Sequence, residues 1–148
     1  LPKTWTYTPV EKKLREKIFL DTAFVVALIN ERDQYHQQAD EATNKYEGFP
    51  LLTTNAVLLE IGNSLSRNHR HDAIAVIEGF LTAENVEVVH LTPQHFEKAL
   101  AMYKTYSDKT WGLVDCSSFV VMREAGVTQV LTLDRHFEQA GFQNLMSI

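Results

Sequence analysis

Short apolar runs, each followed by a segment of helical spacing, constrain this chain more than any other feature. The runs at 18–20, 51–52, 86–91 and 129–133 read as strands, and residues 142–146 add an edge-strand candidate. A helix-like segment separates each run from the next. Adjacent parallel strands need a crossover of about a dozen residues, which a helix supplies. The alternation therefore predicts a three-layer α/β/α architecture with a four- or five-stranded, largely parallel sheet.

The helices announce themselves unequally. Residues 22–29, TAFVVALI, would pass for a strand, but Thr22 and Ala23 follow an acid and Asn30 offers a stop, which favours a helix. In 33–46, Tyr35, Ala39, Ala42 and Tyr46 mark one face, ended by Gly48 and Pro50. Thr53-Thr54-Asn55 supplies a turn and cap for a helix reaching Asn68, with Val57, Leu58, Ile61 and Leu65 as its stripe. A further helix is expected over 73–83. Thr92-Pro93 is an N-cap and N1 pair for a helix to Tyr106, with Phe96, Leu100 and Tyr103 as its expected face. The last long helix is expected to start at Asp115, bury Cys116, Phe119 and Val120, and stop at Gly126. A short helical turn at 136–140 is closed by Gly141.

A length of 148 residues suits one domain, placed at 18–148, after an N-terminal extension at 1–17 that is broken by Pro2 and Pro9 and expected to turn helical at 11–16. The longest apolar run, 23–29, is far too short to cross a bilayer, and the charged first seventeen residues show no signal-peptide pattern. A single cysteine, Cys116, excludes an intrachain disulfide and fits a reducing, cytoplasmic setting. The formal charge of −5 does not favour non-specific nucleic-acid binding, so such a partner has to be held locally.

Asp21 and Asp134 each follow an apolar run and precede a helix-like one; Glu60 sits at the margin of a helical stripe and Asp115 at a helix start. Taken singly, each has an ordinary explanation as a cap or a surface acid. Together they point elsewhere, because strand carboxyl ends open on one edge of a parallel sheet. Carboxylates gathered there repel one another unless a cation neutralises them, and an all-oxygen set favours Mg²⁺ or Mn²⁺ over zinc. Asp108 falls in the loop at the expected crevice mouth. Thr132 or Thr22 is placed to hydrogen-bond a ligand, and Arg123, Arg135 or His136 to approach a phosphate. Trp111 offers a ring for base stacking, with packing on its own helix as the commoner use. Arg67, His69, Arg70 and His71 form a short basic cluster whose ordinary reading is a solvated helix connection.

The stretches IFLDTAFVVALI with Asp21, TTNAVLLEIGNSLSR with Glu60, DKTWGLVDCSSFVVM with Asp115 and VLTLDRHFEQAGF with Asp134 resemble, in order and spacing, the PIN-domain nucleases and in particular the VapC-like ribonuclease toxins. The resemblance runs from Ile18 to the C-terminus. It implies a PIN-like fold and a metal-dependent endoribonuclease in which Asp21, Glu60, Asp115 and Asp134 hold one or two Mg²⁺ or Mn²⁺ ions, with Asp108 matching an acid of similar chains. It also implies products with 5′-phosphate and 3′-hydroxyl ends, an antitoxin protein as partner in a type II toxin–antitoxin pair, and a homodimer. The competing reading is a non-catalytic PIN fold that binds RNA or protein. A phosphoreceiver domain fits poorly, since Leu20 stands where a paired acid is needed, and a haloacid-dehalogenase-type phosphatase fails because Ala23 replaces its second acid.

Overall fold

The computed structural model describes residues 15–146, so most of the extension and of the helical turn expected at 11–16 lies outside the described residues. Five strands form one sheet: β1 (Ile18–Leu20), β2 (Leu51–Thr54), β3 (Val86–Val89), β4 (Gln129–Leu131) and β5 (Gln143–Asn144). Their order is β3-β2-β1-β4-β5 and every pairing is parallel. Ile18 pairs with Leu51 on one side and Gln129 on the other, so β1 is central and its residues are at most 3% exposed. That burial on both faces explains why its sequence is a continuous apolar run without alternation.

Helices flank the sheet and make each crossover. α1 (Thr22–Ile29) and α2 (His36–Lys45) lead from β1 to β2; α3 (Asn55–Ser64) and α4 (Arg70–Thr82) lead on to β3. α5 (Pro93–Thr105) and α6 (Leu113–Ala125) carry the chain to β4, and α7 (His136–Gln139) to β5. The chain winds from β1 out to β3, then crosses to the other side of β1. The strand order therefore reverses between β1 and β4, the place where a crevice opens at the carboxyl ends of a parallel sheet. Asp21 directly follows β1 and Thr132 directly follows β4.

Several boundaries differ from the sequence expectation for local reasons. β4 stops at Leu131 rather than 133, because the Thr132 N–H turns to Asn144 Oδ1 (3.4 Å) and the Asp134 N–H to Thr132 Oγ1 (3.0 Å). β3 stops at Val89, and the Leu91 N–H is taken by Asn55 Oδ1 at 3.1 Å. α6 begins at Leu113, capped by extended Gly112, which places Asp115 in the first turn rather than at the start. It ends as expected at Gly126, whose φ of 68° is the left-handed conformation that glycine adopts without a Cβ clash.

The face expected for α5 is buried only in part, at the half-buried Leu100. Phe96 and Tyr103 are 51% and 48% exposed, while Ala99 is buried. α5 packs on α6, with Ala99 buried and Leu100 half-buried, and Glu124 of α6 lies 3.2 Å from His95 Nε2 and 2.6 Å from Lys98 Nζ.

Behind the crevice lies an aromatic cluster. Phe119 meets Phe137 edge-on at 5.0 Å and Trp111 edge-on at 5.1 Å, and Phe137 also packs 6.0 Å from Phe19 of β1. Phe137 is fully buried. Burying such a ring contributes roughly 1.5–3 kcal/mol, which anchors the four-residue α7 and fixes the position of its neighbour, His136.

Candidate active site

One wall of the crevice is built from β1, α1, α3 and the end of β4. Asp21 is extended and occupies the N-cap position of α1, yet its side chain makes no capping bond. Its carboxylate is instead engaged by a neighbouring strand: Thr132 Oγ1, itself buried, donates to Asp21 Oδ2 at 2.8 Å. The same hydroxyl oxygen accepts the Asp134 N–H, so Thr132 couples two acids. On α3, Glu60 is half-buried and its Oε1 accepts a 2.7 Å hydrogen bond from Thr22 Oγ1. α3 is oriented by Thr54, whose hydroxyl accepts the Val57 N–H at 3.2 Å.

The opposite wall comes from the first turn of α6 and the turn between β4 and α7. Asp115 Oδ2 accepts the Gly112 N–H at 2.9 Å, reaching back across the first turn of α6 where the helix dipole favours a negative group. Asp134 Oδ1 accepts the His136 N–H at 3.0 Å. His136 Nδ1 lies between the two acids, 2.8 Å from Asp115 Oδ2 and 3.0 Å from Asp134 Oδ2, and its Nε2 is 3.1 Å from Thr110 Oγ1. The three side chains offer ligand atoms within 4.8 Å of one another.

The two walls enclose an open cleft of about 540 Å³ lined by Asp21, Glu60, Asp115 and Asp134 together with Thr22 and Asp33. All four sequence-derived acids are thus brought together, and Thr132 stands directly behind Asp21. Asp33 is an addition that the sequence did not flag. It lay at the expected start of a helix, but α2 begins only at His36 and Asp33 Oδ1 caps the Tyr35 N–H at 2.8 Å in the preceding loop. Without a strand end or a helical stripe to mark it, its composition gave no signal.

Other expectations fare differently. Asp108 does not line the cleft; its side chain is 72% exposed and 3.7 Å from Lys109 Nζ. Arg123 is eight residues beyond Asp115 on α6, about 12 Å along the axis; it donates to the Ala140 carbonyl at 3.2 Å and lies over Phe142. It is a structural tie at the far end of the helix. Trp111 is buried and donates to Gln139 Oε1 at 2.9 Å, so its ring is not available for base stacking. Arg135 is exposed at the rim beside Asp134. A larger groove of about 920 Å³ shares Val26, Asn63 and Ser64 with the cleft and carries Arg32 and Arg67, alongside Glu31 and Asp72. Arg67 and His69, from the segment expected as a solvated connection, thus line a concavity that opens beside the acids, and Arg70 and His71 do not.

The electrostatics favour a cation. Burial pushes the Asp21 carboxyl up from 3.8 to about 7; the hydrogen bonds from Thr132 and the Thr22 backbone oppose this, and the charges of Asp115 and Asp134 add to it. Among the described residues none of the four acids pairs with a lysine or arginine. A divalent ion fits this donor set: carboxylate oxygens converge, hydroxyls and backbone N–H groups orient them from behind, and the cleft is open to solvent.

Comparison with known proteins agrees with the architecture. Residues 18–143 match the PIN domain family model. The chain is 31% identical over 125 residues to the 23S rRNA-specific endonuclease VapC20 of Mycobacterium tuberculosis, covering 84% of this chain and 95% of that protein. The crystal structure of that VapC20, described as a sarcin–ricin-loop-cleaving toxin, superposes with a TM-score of 0.80 at 30% identity, covering 88% of this chain and 99% of that one. A DNA-bound VapBC structure from Salmonella typhimurium shares the fold at a TM-score of 0.59 and 19% identity, covering 87% of this chain and 96% of that one. The chain belongs to the PIN domain family.

Proposed function

We propose that this protein is a metal-dependent endoribonuclease, the toxin of a type II toxin–antitoxin pair, with residues 18–148 as its catalytic unit and 1–17 as an extension. The observation that carries the reading is the meeting of Asp21, Glu60, Asp115 and Asp134 from four separate elements in one cleft, at the point where strand order reverses. The likeness to an rRNA endonuclease over most of both chains supports RNA, and 23S rRNA in particular, as the substrate class. An antitoxin protein and a second copy of the chain are the partners this reading entails, and the cytoplasm its setting. Among the described residues no helix is long and apolar enough to cross a membrane.

Asp21, Glu60, Asp115 and Asp134 would hold one or two Mg²⁺ or Mn²⁺ ions, which would supply Lewis acidity for activating water and offsetting charge on a leaving oxygen. The chain's own groups prepare this. Asp21, buried at the sheet edge, is held in one orientation by Thr132, and Glu60 by Thr22. Asp115 and Asp134 face them across the cleft. Arg135 at one rim and Arg32 and Arg67 in the adjoining groove supply cationic contacts for the phosphates of a strand crossing the acids.

The test is cleavage of 23S rRNA fragments by purified protein. Wild type with Mn²⁺ should yield discrete fragments with 5′-phosphate and 3′-hydroxyl ends, and EDTA or Asp21→Asn should suppress them. Intact RNA under all metal conditions, with binding retained, would replace this reading by the non-catalytic one.

A further inference from the structure

A set of carboxylates alone makes an all-oxygen site, but one nitrogen stands directly against two of these acids and such a site leaves it over. His136 does not face solvent as a free phosphate contact. Its Nδ1 is directed between Asp115 Oδ2 and Asp134 Oδ2, at 2.8 and 3.0 Å, and its side chain is 22% exposed. Its other ring nitrogen has its own partner, Thr110 Oγ1, at 3.1 Å. Without metal, Nδ1–H donates to the two carboxylates and Nε2 accepts from the Thr110 hydroxyl; a divalent ion taking the place of the Nδ1 proton would leave Nε2–H to donate to Thr110 Oγ1. This is the arrangement by which a metal-binding histidine is held, its second N–H engaged from behind so that tautomer and ring orientation are set.

The position is also imposed by packing rather than by contact with the acids alone. Phe137, the next residue, is fully buried against Phe19 and Phe119, so the α7 backbone has little freedom to carry the ring away. The tie between α7 and Asp134 runs through the His136 backbone N–H and survives a change of side chain.

We propose that His136 Nδ1 is a direct ligand of the divalent ion, alongside Asp115 and Asp134, giving a mixed nitrogen–oxygen site that prefers Mn²⁺ to Mg²⁺. The inference rests on the metal reading of the cleft and adds to it the ion that is selected and the residue that selects it. Mg²⁺ favours oxygen donors and retains its waters, whereas imidazole binds more readily to later divalent ions. A histidine contacting phosphate would instead leave metal binding unchanged.

The experiment uses the whole chain with metal alone and no RNA. Mn²⁺ and Mg²⁺ dissociation constants are measured for wild type, His136→Ala and Asp115→Asn, and bound Mn²⁺ is examined by pulsed electron paramagnetic resonance for ¹⁴N modulation from an imidazole. Wild type should show the modulation and prefer Mn²⁺. His136→Ala should lose the modulation and weaken Mn²⁺ binding by about tenfold or more, with a smaller change for Mg²⁺. Bound Mn²⁺ that shows no nitrogen modulation, with His136→Ala leaving the ratio of the two constants unchanged, overturns the ligand assignment while the acidic metal site stands. Absence of Mn²⁺ binding to wild type, indistinguishable from Asp115→Asn, overturns both.

Discussion

The two walls of the cleft solve the same electrostatic problem in different ways. On the Asp21 and Glu60 side, each carboxylate is met by a threonine hydroxyl, Thr132 and Thr22, at 2.8 and 2.7 Å. On the Asp115 and Asp134 side, the carboxylates share an imidazole nitrogen. A hydroxyl donor orients a carboxylate without neutralising it, so the buried Asp21 remains costly to ionise and its pKa rises to about 7. The difference sets a wall whose buried carboxylate is costly to ionise against one whose acids meet a nitrogen donor. The predictions below separate the two walls.

Removing a ligand charge should have the largest effect. Asp115→Asn and Asp21→Asn should each lower RNA cleavage on the order of 10²–10³-fold, the loss typical of deleting a group that acts on developing charge, measured as single-turnover rates at saturating metal. A variant of either wall that retains wild-type cleavage would remove that wall from the chemistry.

The walls should next part company in metal-free stability. Asp21 has a folded pKa above its unfolded value, so its protonated form is favoured in the native state. Its contribution is complete below pH 3.8 and is lost as pH rises to about 7, by roughly 4 kcal/mol as an upper bound. Metal-free wild type should therefore lose stability across that window in urea titrations, and Asp21→Asn should flatten the slope. An equal slope in the variant would assign the pH dependence to other groups.

Thr132→Val should cost about 1–3 kcal/mol, because a buried carboxylate oxygen and the Asp134 N–H both lose a partner. Thr22→Val should change stability less, since Glu60 is only half-buried, but should weaken metal binding by about 10-fold or more through loss of ligand orientation. Calorimetric titration with Mn²⁺ checks both. Asp108→Asn is expected to have the smallest effect, leaving cleavage and metal affinity within about twofold, because its exposed side chain stands outside the cleft.

The sheet and its crossovers were legible because strand ends, caps and stops are local signals. The Thr92-Pro93 start of α5 is an example, realised by the Thr92 hydroxyl accepting the His95 N–H at 3.2 Å. The convergence of Asp21 and Asp134 was legible for a topological reason, since acids that follow strands share an edge once the sheet is parallel. Glu60 and Asp115, by contrast, stand on helices and gave only the weaker signals of a stripe margin and a helix start. The place of His136 was not legible, because it depends on Phe137 finding the aromatic cluster across the fold. Arg123 was a different case: the helix reading already set it eight residues beyond Asp115, about 12 Å along α6, and the structure ties it to the Ala140 carbonyl there. In α5, the exposed Phe96 and Tyr103 show that an apolar stripe does not state whether its partner lies within the chain.

The most direct test of a single metal site shared by both walls is unfolding stability at pH 8 with and without Mn²⁺, for wild type, Asp21→Asn and Asp115→Asn. Metal at about 100 times its dissociation constant should stabilise wild type by about 2.7 kcal/mol, and each variant by clearly less. No stabilisation of wild type at millimolar Mn²⁺, or the same stabilisation in all three proteins, would contradict the account.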